Sequence, residues 1–294
     1  MRFAAAIFRL VLWLATTAAL AVAVPAMWLQ TNIVNEDSYA AMARQAAGDP
    51  ALQSAVAGEL TTRAMALIAA HGGGPVDSSR VQAVQAAAAA FTAGPEFPPL
   101  FAGVNREAHR WLFSDARSGD AWVVDLAPML NDSSIQQVLS IYNAKAPATL
   151  TVPLTVSVPG APQPLRQGQL SRLATWGPWL SIGALVVTGV FGLIALVAAR
   201  RRGKALAGLG VSALLVGAAG WAGIEAGGRY VNEALNRTTG DMRKIAEVMV
   251  GHAEASLHQW LDLTLIAGVV LIGVGVIVAI LGSVASSRRS TRPG

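Results

Sequence analysis

The chain has 294 residues, of which 53% are hydrophobic and 13% charged, and it contains no cysteine. A soluble domain carries about 25% charge, so this composition fits a chain that is partly membrane and leaves room for one modest soluble domain. The absence of thiols excludes disulfides, thiol catalysis and cysteine-based zinc or iron–sulfur sites, and the net charge of +5 reads as topology rather than as nucleic-acid binding, because acids and bases are segregated along the chain.

Residues 10–29 form the first apolar run, preceded by Arg2 and Arg9 and closed by Trp28 and a polar stretch. Its length suits a span of about twenty residues. Ala-Val-Ala at 21–23 and Val-Pro-Ala at 24–26 have the small-residue pattern of signal-peptidase sites. The run continues through Leu29, which favours an uncleaved anchor over residues 1–30. Either way, the next segment is exported.

Residues 31–172 are expected to form the main extracytoplasmic domain. Asp49-Pro50 is a helix start, an N-cap followed by proline in the first turn. Leu52, Val56, Leu60, Ala64 and Leu67 then recur at helical spacing. Asp77 or Ser78 opens a second helix carrying Val81, Val84, Ala88 and Phe91, which ends at Gly94-Pro95. A third follows Pro98-Pro99, with Phe101, Val104, Ala108, Trp111 and Leu112 on one side, and a shorter one covers 134–143. Residues 122–126 read as a short strand. At 150–158 Leu150, Val152, Leu154, Val156 and Val158 alternate with smaller or polar residues, a period of two that predicts a strand. Pro153 confines it to an edge or a bulge. The expected fold class is therefore a mainly α membrane protein whose outer domain is α+β, helices with a small sheet.

The second membrane helix is expected over 173–199, anchored by Trp176 and Trp179, and the third over 205–224. Between them lies a basic turn, 200–204, with Arg200, Arg201, Arg202 and Lys204. Short basic loops stay in the cytoplasm, so this hairpin points its tip inward. Residues 225–262 form a second, helical outside segment, punctuated by Gly227-Gly228, in which Asp241 caps a helix that runs towards the membrane. Residues 263–285 are the fourth span and 286–294 a basic cytoplasmic tail with Arg288 and Arg289. Both termini are then inside, at the plasma membrane. Small residues at spacing four, Ala184/Thr188/Gly192, Ala213/Gly217 and Gly275/Ala279/Ser283, allow helices to approach closely, within the chain or between chains.

The order of these features resembles a family of uncharacterised actinobacterial four-pass integral membrane proteins with an N-terminal extracytoplasmic domain. The residues that carry the likeness are NREAHRWL at 105–112, VVDLAPML at 123–130, the TLTVPL strand, TWGPWL, and RRRGK at 200–204. The resemblance implies this topology and a cell-envelope location, and brings no activity.

Four clusters invite chemistry. His71 before three glycines looks like the oxyanion loop of some lipases, yet no G-x-S-x-G elbow accompanies it and a helix stop explains the glycines. Asn105 and His109 share a helix face, with Arg106 and Arg110 offset by one and Asp125 on the neighbouring strand. They form the candidate polar site. The competing reading, which we favour, is structural: hydrogen bonds tie this helix to the 122–125 strand, and the arginines pair with Asp115, Asp125 or Glu107. Glu254, His258 and Asp262 recur every four residues, but three ligands from one straight helix do not surround an ion. The Gly-x-Gly at 208–210 lies in a span with no preceding strand, which excludes a dinucleotide loop. No catalytic, metal or cofactor site is assigned, and no cofactor is expected.

The spans carry no ionisable residue deep in the apolar core, which argues against a self-sufficient ion-coupled transporter. The leading expectation is a non-enzymatic envelope protein, an outer-face scaffold that binds a protein partner and contacts membrane lipid. The runner-up is a transport or lipid-handling accessory component that shields an apolar ligand. An envelope hydrolase is third. The oligomeric state stays open.

Overall fold

The computed structural model describes residues 2–70, 77–113, 123–125, 127–142, 144–146, 148, 151–153, 168–199, 201–236 and 240–290. Helix α1 (Arg2–Leu29) passes into a π-helical turn, Gln30–Val34. Then come α2 (Glu36–Ala46), α3 (Pro50–Ala70), α4 (Ser78–Thr92), α5 (Phe97–Phe113), β1 (Val123–Asp125), α6 (Ala127–Leu130), α7 (Ser133–Ile141) and β2 (Thr151–Pro153). Three long helices follow, α8 (Ser171–Val197), α9 (Arg202–Leu235) and α10 (Gly240–Ser290). Four helical segments are long and apolar enough to cross a membrane: Ile7–Val34, Ser171–Val197, Arg202–Glu233 and Gly240–Gly282. The protein is a multi-span membrane protein with a large soluble region. Its chain divides into a membrane unit, Met1–Gln30, Trp176–Gly227 and Glu254–Gly294, and a soluble unit, Thr31–Thr175 with Gly228–Ala253.

Within the membrane unit, α9 and α10 meet backbone to backbone. A Cβ placed on Gly210 would lie 2.6 Å from the Gly268 carbonyl oxygen, and one on Gly268 would lie 2.9 Å from that of Gly210. Seven residues away, a Cβ on Gly275 would lie 2.7 Å from the Gly203 oxygen. In the other direction, Gly217 makes room for Leu265 at 2.6 Å. The seam thus repeats every seven residues, the period that keeps one face of a helix on its neighbour. The four-residue pattern of the sequence caught Gly217, Gly275 and Ala279 and missed the longer register, and these residues meet within one chain. Helix α1 docks on α9 through polar groups: the Trp13 indole donates to the Gly208 carbonyl at 3.0 Å, and the Thr17 and Ser212 hydroxyls share a 2.8 Å hydrogen bond.

In the soluble unit α3 and α4 start where the sequence puts them, and α5 starts at Phe97, ahead of the expected start after Pro98-Pro99. Asp49 accepts from the Ala51 amide at 2.7 Å at the head of α3, and Asp77 caps α4. Phe97 opens α5, with Pro98 and Pro99 in its first turn, where a missing N–H costs nothing. Leu52, Leu60, Ile68, Met129, Leu130 and Leu139 are fully buried around Phe97. The Phe97 ring contacts Phe91 edge-on at 5.7 Å and Phe101 at 5.5 Å. Ile245, Val248 and Met249 of α10 pack on the same core, and the Asp241 side chain of α10 lies against Gly58 of α3. The expected outside segment 225–262 is therefore the end of α9 and the start of α10, and its 228–253 part completes the soluble unit. Gly227-Gly228 does not punctuate it. Both lie inside α9, since a helical glycine costs only about 1 kcal/mol relative to alanine.

The expected α+β class of the outer domain is corrected: the protein is mainly helical. Extended backbone among the described residues is confined to one three-residue antiparallel pairing, with Val124 opposite Val152 and Asp125 opposite Thr151. This pairing forms no sheet layer. A lone two-stranded ribbon is marginal by itself, and the core cluster is assembled from α2 to α7. Residues 154–158 of the expected strand lie outside the described residues.

Candidate functional site

The candidate polar site is organised by α2, a helix that the sequence reading missed. Its signal was present: Asn35 caps it by accepting from the Ser38 amide at 2.9 Å, and Glu36 and Asp37 fill the first turn. Alanines 40, 43 and 46 give it a narrow buried face, so α2 and α5 lie close together. His109 is 5% exposed. Its Nε2 lies 2.9 Å from the Ile33 carbonyl oxygen, which requires the proton on that nitrogen if the contact is a hydrogen bond. The ring stacks on Phe113 at 4.3 Å and meets Tyr39 at 5.3 Å. Partial burial raises the Tyr39 phenol above its ordinary pKa.

Arg106 reaches Glu36 at 3.2 Å and Asp37 at 3.1 Å, while Arg110 reaches the same Glu36 oxygen at 2.9 Å and Glu107 at 2.9 Å. The Glu36 carboxylate, followed by Glu107, raises the Arg110 guanidinium pKa. Asn105 does not join the cluster, because its amide donates to the Phe101 carbonyl one turn back at 2.9 Å. Asp125 stands in β1 opposite Thr151, and β1 runs beside α5. Of the contacts expected from sequence, the Arg110–Glu107 pair is present, Asp115 lies outside the described residues, and α5 is tied in addition to α2 and to Ile33.

The other sequence candidates separate. His71 and its glycines lie outside the described residues. Among the described residues no cluster of three or more metal-ligating side chains exists. His258 and Asp262 instead engage α9: the Trp221 indole donates to Asp262 at 3.2 Å and its ring lies 4.0 Å from that of His258. His252 belongs to the soluble unit and faces Asp49 at 3.8 Å. Of the topology-setting residues, Arg200 lies outside the described residues, Arg201, Arg202 and Lys204 sit at the start of α9, and Arg288 and Arg289 lie in the last turns of α10.

The membrane unit contains a feature that no motif announced. All four spans line an open apolar cavity of about 680 Å³, with Leu20, Gly189, Leu193, Ala213 and Leu263 among its walls, Leu193 and Leu263 being largely exposed. Its side-chain hydroxyls are all hydrogen-bonded within the helices. Thr16 donates to Leu12, Thr188 to Ala184 and Thr264 to Trp260, at 2.8 to 2.9 Å. Ser212 bonds to the Gly208 carbonyl at 3.2 Å and to Thr17.

No family profile, curated protein or solved structure matches this chain.

What the arrangement can do follows from its chemistry. The polar cluster of the soluble unit joins two helices and commits His109 Nε2 to a backbone carbonyl. The cavity lies within the usual range for ligand sites, about 300–1,000 Å³, and its satisfied hydroxyls offer little to hold water.

Proposed function

We propose that the protein is a lipid-handling component of the plasma membrane whose four-helix bundle shelters an acyl chain in its apolar cavity. The observation that carries this reading is the cavity itself, walled by all four spans with its hydroxyls turned back onto their helices. It raises lipid handling above the outer-face scaffold that the sequence favoured. The role is binding rather than catalysis, in keeping with the structural use of His109, and the soluble unit is extracytoplasmic with both termini inside. The distribution of Arg9, Arg201, Arg202, Lys204, Arg288 and Arg289 supports that orientation. The resemblance to the actinobacterial membrane proteins implies the same location.

Gly189 offers a direct test. It lines the cavity, and a Cβ there meets nothing within 4 Å, so Gly189→Phe adds bulk at the cavity wall with no collision at its Cβ. The wild-type protein, extracted from its membrane in mild detergent, should carry tightly bound lipid in native mass spectra, and Gly189→Phe should lose it. Equal retention by the two would sink the cavity reading. Orientation is read with single cysteines placed in the cysteine-free chain, at exposed Gln85, Arg202 and Asn232 and in the C-terminal tail. An impermeant thiol reagent on intact cells should label Gln85→Cys and Asn232→Cys and spare Arg202→Cys and Ser290→Cys.

A further inference from the structure

A second recess of about 470 Å³ lies at one end of the membrane unit. Its walls bring together Arg9 from α1, Arg201 from the turn before α9, and Lys204 from the first turn of α9, above a floor of Trp13, Gly208 and Leu209. The floor is fixed by the Trp13 to Gly208 hydrogen bond. The recess has no carboxylate in its walls, and none of its three cations makes an ion pair with a carboxylate among the described residues. Every Asp and Glu of the chain lies at 36–132 or 225–262. Three like charges line one concave surface, and among the described residues nothing supplies a counter-charge there. Such a surface is complementary to an anion.

The recess also joins the apolar cavity. Leu209 lines both. Leu12 of the recess and Thr16 of the cavity are one helical turn apart on α1, as are Gly208 and Ser212 on α9. A cationic chamber continued by an apolar one is the outline of a lipid with an anionic head. Basic pockets between membrane helices on the cytoplasmic side take phosphate headgroups in this way, and arginine suits phosphate through its planar fork of donors.

We propose that Arg9, Arg201 and Lys204 bind the phosphate headgroup of an anionic phospholipid whose acyl chain lies in the adjoining cavity. This rests on the cavity reading above and adds the class of lipid. Arg202 carries the same charge next to Arg201 but does not line the recess, and Arg288 and Arg289 carry it in the C-terminal tail. They separate a built site from general attraction to an anionic surface.

The test equilibrates the purified full-length protein with vesicles of equal parts phosphatidylglycerol and phosphatidylcholine, re-extracts it, and identifies the retained lipid by native mass spectrometry. Phosphatidylglycerol should be retained over phosphatidylcholine by about tenfold or more, and each neutralisation among Arg9→Gln, Arg201→Gln and Lys204→Gln should lower that ratio by up to about fivefold. The triple variant should retain lipid with a ratio near one. Arg288→Gln with Arg289→Gln should leave the ratio unchanged. A wild-type ratio near one overturns the headgroup inference and leaves the acyl cavity standing, whereas no retained lipid of either kind overturns both. A loss in the tail variant equal to that in the triple variant overturns the site in favour of diffuse electrostatics. Displacement of the lipid by excess inorganic phosphate overturns it in favour of a free-phosphate site. If the triple variant does not extract as a folded protein, the single Arg9→Gln variant decides, and an unchanged ratio there counts against the proposal.

Discussion

The soluble unit and the membrane unit are held together by opposite means. Around Phe97 the soluble unit buries large side chains, and water supplies the driving force. In the membrane unit most large side chains face outward, Leu180, Val197 and Leu281 being more than 60% exposed, while few, such as Leu12, Val216 and Leu261, are buried. The inside is made of glycine seams and hydroxyl or indole hydrogen bonds. Lipid tails are as apolar as leucine, so packing leucine inward gains little there, and close backbone approach takes over. The same residue types therefore carry opposite meanings in the two halves of one chain.

Substitutions chosen from each side can break that contrast. Phe97→Ala should have the largest effect, about 3–5 kcal/mol. It should appear as lost hydrogen-exchange protection in α3 and α4, while the amides of the α9–α10 seam remain protected. Loss of protection in both units together would mean that they unfold as one. Replacing Ile245, Val248 and Met249 by alanine should cost the soluble unit about 3 kcal/mol, the three side chains being only partly buried. No change in α3 protection would show that 228–253 is dispensable to the core. Gly210→Leu should act on the other side, destabilising the membrane unit by about 1–3 kcal/mol or more through overpacking against Gly268 and Ile272. The melting of the full chain in detergent should then separate into two transitions, and a single unshifted transition would refute the tight seam.

His109→Ala sharpens the comparison at a polar contact inside the soluble unit. It removes the partner of a buried carbonyl, at about 1–3 kcal/mol, and should loosen α2 and the Gln30–Val34 turn first. An unaltered melt with altered cellular function would point to a binding role instead. The smallest effect belongs to Asp77. Its hydrogen bonds to Ser79 hold the carboxylate pKa below its ordinary value, so its contribution is complete above the unfolded pKa and disappears as pH falls through the folded one. The difference in melting temperature between wild type and Asp77→Asn should be present at neutral pH and vanish in acid. A difference that persists at the lowest pH would show that the cap does not act through its charge.

Much of the fold was legible residue by residue. Asp49, Asp77 and Pro98-Pro99 marked helix starts because capping is a local matter of one side chain and the next few amides. The spans were legible because length and apolar composition decide them. The alternating pattern at 150–158 marked a segment able to pair, and Thr151–Pro153 does so opposite Val123–Asp125; residues 150 and 154–158 lie outside the described residues, and what the pattern over-stated was the α+β class. Helix α2 was under-read because its buried face is alanine, which carries little contrast in an alanine-rich chain.

The sequence by itself determined the number of spans, the placement of basic residues at their ends, and where most helices begin. These depend on interactions within a few residues of one another. Only the tertiary structure decided that His109 answers to Ile33 rather than to a strand, that Ile245 and Met249 close the soluble core, and that glycines seven apart on α9 and α10 meet in register. It also decided that four apolar runs leave a cavity between them, with Arg9, Arg201 and Lys204 around the adjoining recess. Such facts depend on which distant segments become neighbours, and each helix face taken alone is compatible with several partners.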